Sequence, residues 1–131
     1  MEAVLKILAN EIKKDLGIDE DFLIEVTTSW PKFLVLKGYT QPVKCCCECS
    51  PLTSGYKGIY GVEIKINYEH SLIGAVFDLL HEMWHAKQYY KHKGLSLEEV
   101  EDKNPFLAEL RADFFCIEKI LEILQTCLHI G

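Results

Sequence analysis

The chain has no apolar run long enough to cross a bilayer. Its longest, Leu72 to Leu80, is interrupted by Asp78 and falls well short of the roughly 20 residues a spanning helix needs. Positive charge is also scarce: 14 Lys and Arg stand against 20 Asp and Glu for a net charge of -6, and the basic residues are scattered singly. The electrostatic footprint of a nucleic-acid binder is therefore missing. There is no internal repeat and no low-complexity tract. The amino-terminal segment is amphipathic and lacks the basic flank and small-residue cleavage site of a secretory signal. A soluble, cytoplasmic protein without membrane insertion is the expectation. Its six cysteines do not alter this. Cys45, Cys46, Cys47 and Cys49 are packed too closely to pair comfortably with one another, so reduced thiols are expected.

What is present suffices for one domain over residues 1–131, since 49% of the residues are hydrophobic. From Glu2 to Leu16, the residues Val4, Leu5, Ile7, Leu8, Ile12 and Leu16 recur at helical spacing, and Gly17 follows as a stop. Asp21 to Ser29 and Lys32 to Lys37 are short and rich in strand-forming residues, with Trp30 and Pro31 between them. Gly38 to Gly58 reads as a long loop carrying the cysteine cluster. Ile59 to Asn67 alternates Val62, Ile64 and Ile66 with Glu63, Lys65 and Asn67, as a strand with one wet face would. Ser71 to about His92 is apolar nearly all round until its last turns and reads as a buried helix closed by Gly94. Asn104 and Pro105 then look like a cap and first position of a helix reaching about His129, with the stripe Leu107, Leu110, Phe114, Ile117, Leu121, Leu124 and Leu128. The fold class is α+β: an N-terminal helix, a small, mostly antiparallel sheet of about three strands, a buried helix and a C-terminal helix.

The buried helix contains His81-Glu82-Met83-Trp84-His85, an HExxH pattern. Histidines four apart stand about 40° from each other around a helix, so both imidazoles reach one ion while Glu82 projects beside them. Two histidines and a glutamate are costly to bury in an apolar helix without a partner, and a metal ion is such a partner. The next helix offers Glu109-Leu110-Arg111-Ala112-Asp113. Glu109 and Asp113 share a face with Cys116 and Ile120, which is expected to turn inward. Glu109 reads as a third ligand, and Asp113 as the acceptor of a liganding histidine's free imidazole N–H.

HEMWHA followed by ELRAD is similar to the gluzincin metallopeptidases, in which HExxH and a downstream ExxAD or ExxxD supply two His and one Glu. The order of elements resembles the minimal soluble minigluzincins. The identity is carried by His81, Glu82, His85, Ala86, Glu109, Ala112 and Asp113. The resemblance implies a zinc metalloendopeptidase, in active or latent form, acting on a peptide or protein substrate. In it His81, His85 and Glu109 hold Zn²⁺, and Glu82 is the general base for a water at the fourth position. It also implies that the strand before the HExxH helix, at Gly61, Val62, Glu63 and Ile64, is the edge that pairs with an extended substrate. Relatives often add a Tyr or His that stabilises the oxyanion; Tyr56, Tyr60, Tyr68, His70, Tyr89 and His92 are all open candidates.

The cysteines have no counterpart in these motifs. Cys46 and Cys49 form one CxxC; a structural zinc site wants a second pair, and Cys116 and Cys127 sit eleven apart on the last helix. Three readings stay open: a second metal site, a thiolate that caps the catalytic zinc, and a reactive loop without a partner. The alternative to an enzyme is a catalytically silent, zinc-stabilised scaffold or regulatory binding protein.

Overall fold

The computed structural model describes residues 1–29, 32–34, 43–45, 47–55, 58–67, 69, 71–93 and 105–130, with the backbone alone at 29, 32–34, 43–45, 105–108 and 127–130. The chain runs α1 (Glu2–Asp15), β1 (Leu23–Ser29), β2 (Lys32–Leu34), β3 (Val43–Cys45), β4 (Cys47–Ser54), β5 (Gly58–Asn67), α2 (Leu72–Lys91) and α3 (Pro105–Ile130). This is an α+β arrangement with a helix at each end. No helix among the described residues is long and apolar enough to cross a membrane.

Local chemistry sets the helix ends. At the end of α1, Gly17 adopts φ of 70°, and the amides of Gly17 and Ile18 return to the carbonyls of Lys14 and Lys13. That left-handed position is where glycine costs least. Ser71 caps α2 by accepting from the Gly74 amide at 3.2 Å. The Glu2 carboxylate accepts from the Thr28 amide at 2.8 Å and so ties the start of α1 to the end of β1.

The main sheet has the order β1-β5-β4 and is mixed: β1 runs parallel to β5, and β4 antiparallel to it. The expectation of a mostly antiparallel sheet is corrected in this respect. β2 and β3 form a separate antiparallel pair. Within the stretch expected to be a loop, residues 47–54 are a strand, β4. Its sequence CECSPLTS hides it, because Pro51 cannot donate to a ladder and is tolerated only where one side of a strand goes unpaired. β4 is such a strand, at the edge of the sheet.

The expectation that Gly61, Val62, Glu63 and Ile64 form a substrate-pairing edge is overturned. They belong to the central strand, paired on one side with Leu23 to Val26 and on the other with Leu52 to Cys49. Both rows of backbone donors and acceptors are engaged, so no peptide can add there. The edges beside them are β1 and β4. Gly61 is required by the close approach of β1, because a Cβ there would lie 2.6 Å from the Leu23 carbonyl oxygen and 2.7 Å from its Cβ. The alternation of β5 holds for Val62, Ile64 and Ile66, which are buried, and for Lys65, which pairs across the sheet with Glu48 at 3.8 Å. It fails at Asn67, which is buried.

The core joins Leu5, Ala9 and Ile12 of α1, Val26 of β1, the inward residues of β5, and Ala75, Leu79, Leu80 and Met83 of α2. α2 lies against β5 and β4, and α3 packs on α2. Two apolar faces differ from expectation. Leu72, Ile73 and Phe77 at the start of α2 are exposed, so that helix is buried on one side only over its first turns. On α3, the stripe Leu110, Phe114, Ile117, Leu121 and Leu124 faces outward, with Phe114 59% exposed. The inward face is instead Ala112, Phe115 and Cys116, with Ile120 beside them. Ala112 is fully buried, and so small a side chain takes up little space on the side of α3 that packs on α2.

Candidate metal centre

The HExxH segment occupies the middle of α2, anchored by Leu79, Leu80, Met83 and Ala86 in the core. This anchoring fixes the rotation of the helix and turns His81 and His85 toward α3, while Glu82 is buried. Phe115 of α3 lies over Trp84 with ring centroids 5.4 Å apart, a second contact setting the register of the two helices.

The histidines and Glu109 converge. His81 Nε2 lies 2.8 Å from Glu109 Oε2, His85 Nε2 lies 3.1 Å from Glu109 Oε1, and the two Nε2 atoms are 3.2 Å apart. On the far side of the ring, His81 Nδ1 is 2.9 Å from Asp113 Oδ1. A neutral His81 that donates its Nδ1 proton to Asp113 presents a bare lone pair at Nε2. That lone pair then faces a carboxylate oxygen and a second imidazole nitrogen. Such a gathering of acceptors is repulsive unless a proton or a cation lies among them. Ligand atoms about 2.0–2.1 Å from a tetrahedral zinc ion would be about 3.3 Å apart, close to the spacings found here. Among the described residues, His81, His85 and Glu109 are the one group of His, Cys, Asp or Glu gathered tightly enough to hold an ion. The donor set fits zinc.

The expected environment of the two carboxylates is corrected. Glu109 and Asp113 are 60% and 64% exposed, not buried, whereas His81 and His85 are 19% and 17% exposed. The acidic pair is exposed and leans onto histidines set deeper, because the residues α3 buries are Ala112, Phe115 and Cys116 and not Glu109 or Asp113.

Glu82 is held on its other side by β4. The Cys47 thiol donates to Glu82 Oε1 at 3.2 Å. Burial pushes the Glu82 carboxyl above its ordinary range; the Cys47 hydrogen bond and His81 oppose this, and the Glu109 and Asp78 carboxylates add to it. Burial, with the Glu82 charge, pushes the Cys49 thiol well above its ordinary value. The link from Cys47 to Glu82 was missed in the sequence. The signal available was the two-residue spacing of Cys47 and Cys49, which places both on one face of a strand once β4 is recognised.

The other candidates fall elsewhere or lie beyond description. Tyr60 is exposed on β5, and Tyr89 packs against the core. His92 ends α2, its amide bonded to the Tyr89 carbonyl. Cys116 is buried and donates to the Phe77 carbonyl at 3.6 Å. Cys46, Tyr56, Tyr68, His70, Gly94 and Asn104 lie outside the described residues, as do the side chains of Cys45, Leu107, Cys127 and Leu128. Compared with protein-family models, curated proteins and solved structures, the chain matches none.

Proposed function

We propose that the chain is a zinc-dependent metallopeptidase that hydrolyses peptide bonds with Glu82 as general base. The observation that carries this reading is the convergence of His81 Nε2, His85 Nε2 and the Glu109 carboxylate, with Asp113 on the back of His81. The three residues would hold the ion. Bound zinc supplies Lewis acidity, polarising a peptide carbonyl and acidifying water.

The remaining work falls to the chain's own groups. Asp113 fixes His81 in the tautomer that leaves Nε2 free to bind, and restrains the ring. Glu82 accepts the proton of the attacking water and returns it to the leaving amine. Burial raises its affinity for a proton, the direction that proton uptake from water requires. The substrate strand pairs with β4, whose outer edge has no partner among the described residues. Because Cys47 of β4 touches Glu82, a peptide laid along that edge passes beside the base. Backbone pairing there gives affinity with little dependence on side chains.

A second reading, a silent zinc-stabilised scaffold, draws support from the same thiol, which occupies a Glu82 oxygen. Metal analysis of the purified protein, joined to digestion of an unstructured protein, separates these readings. Roughly one zinc per chain together with cleavage is the expected result. Zinc below about 0.1 per chain at saturating metal would overturn the metal reading. Zinc held without cleavage of any flexible substrate would favour the scaffold.

A further inference from the structure

Cys47 and Cys49 share one face of β4, and that face looks onto the HExxH helix. The nearer thiol, Cys47, is hydrogen-bonded to Glu82, and Glu82 lies within electrostatic range of both His81 and Glu109. A general base needs an oxygen facing the position where water reacts. Here one of its oxygens holds a sulfur atom, and thiolate is among the strongest zinc donors that side chains provide. Hydrolytic zinc sites keep three protein ligands and an open fourth position, whereas structural sites close with four. Cys47, hydrogen-bonded to Glu82, is the thiol available for that fourth place, on a different element from the other three ligands.

We propose that Cys47 is the fourth protein ligand of the metal held by His81, His85 and Glu109, closing the centre until its thiolate is displaced. The inference rests on the metal reading above and goes beyond it by assigning a latch. Sγ is not one of the three gathered ligand atoms; it is hydrogen-bonded to Glu82 instead. To reach the metal, the Cys47 side chain would have to exchange that hydrogen bond for a bond to the ion. In the step, the S–H bond breaks and its proton passes to Glu82 Oε1, which already accepts it. The electron pair left on sulfur forms the bond to the ion. Nothing is oxidised or reduced. Opening reverses the step: the sulfur takes back a proton, and Glu82 is freed to act as base. Because β4 is an edge strand, a peptide pairing with it would lie along the strand that carries the latch.

Cobalt(II) in place of zinc tests this in the full chain. The expected result is one cobalt per chain, with the visible bands of a tetrahedral site and a thiolate-to-cobalt charge-transfer band in the near ultraviolet. The charge-transfer band should persist in Cys49→Ser and vanish in Cys47→Ser. Zinc affinity of Cys47→Ser should fall by more than the ~10- to 100-fold that loss of a hydrogen bond to a ligand produces. A second measurement needs no variant: iodoacetamide labelling of the native protein, mapped by peptide mass, should show Cys47 protected by zinc. Tetrahedral cobalt without a thiolate band, a band that survives Cys47→Ser, or equal labelling of Cys47 with and without zinc would overturn the latch and leave the three-residue site standing. Failure to bind cobalt or zinc at all would overturn both.

Discussion

His81 Nδ1 lies 2.9 Å from the Asp113 carboxylate, across the contact between α2 and α3. The bond uses the ring nitrogen that faces away from Glu109 and His85, so Asp113 acts on the site without occupying it. Asp113→Ala should therefore weaken zinc binding about 10- to 100-fold. Glu109→Ala, which removes a charged ligand, should weaken it more. Competition against a chromogenic chelator measures both, and equal losses would mean that the two carboxylates play the same part.

Glu82→Gln keeps the size of the side chain and an acceptor for Cys47 but cannot take up a proton. The variant should fold, retain about one zinc per chain, and lose ~10²- to 10⁴-fold in the rate of peptide hydrolysis. Cleavage at the parent's rate would remove Glu82 from the mechanism.

Burial raises the affinity of Glu82 for a proton in the folded chain. Between the ordinary carboxylate range and the raised value, the folded state binds more protons than the unfolded one, so stability falls as pH rises through that window. This contribution is fully present below the ordinary range and lost above the raised value. In chelator-treated protein, Glu82→Gln should gain stability relative to the parent as pH rises, and the advantage should shrink in acid. Urea melts across pH report the difference; a constant offset would mean that Glu82 does not titrate differently on folding.

Gly61→Ala should destabilise the protein by about 1–3 kcal/mol, the usual cost of overpacking. The added carbon meets the backbone of Leu23, not a flexible side chain, so relief requires β1 to move away from β5. A change under about 0.5 kcal/mol in denaturant melts would show that the strands separate at little cost.

The outward stripe of α3 gives a complementary test. Leu121→Ser should change monomer stability by no more than about 0.5 kcal/mol, as expected of an exposed position. Leu79→Ala, within the core, should cost roughly 2–5 kcal/mol. A large loss at Leu121 would mean that the stripe is covered in solution.

Much of the site was legible because its spacing is helical. His81 and His85, and Glu109 and Asp113, are each four residues apart, and a helix brings such pairs to one face whatever surrounds them. The fold was legible where one pattern dominated, as in β5, where Val62, Ile64 and Ile66 alternate. It was not legible where two physical demands compete. β4 carries Pro51 and turn-forming residues because it is an edge, and an edge strand need not look like a strand. The partners of β5 could not be read from β5 itself, since alternation reports its faces and not its neighbours. On α3, the larger side chains suggested the wrong buried face: Leu and Phe mark apolar surface, but the buried side carries the small Ala112. Rotation of a helix that is apolar on two sides is decided by its partner, which a single pattern does not contain.

The proposed ligands lie on two helices and are separated by residues 86 to 108, so an ion held by them would act as a cross-link in the chain. Like other loop closures, it would restrict the unfolded ensemble as well as add bonds to the folded one. The described side-chain packing of α3 is modest, with Ala112, Phe115 and Cys116 as its buried residues and Ile120 beside them. Its last turns carry exposed side chains through residue 126. Without the cross-link, α3 is the element best placed to open as a unit while α1, α2 and the sheet stay folded. Amide exchange along α3 should then slow on addition of zinc by a far larger factor than exchange in β5, making the C-terminal helix a gauge of metal occupancy at a site that lies mostly on its neighbour.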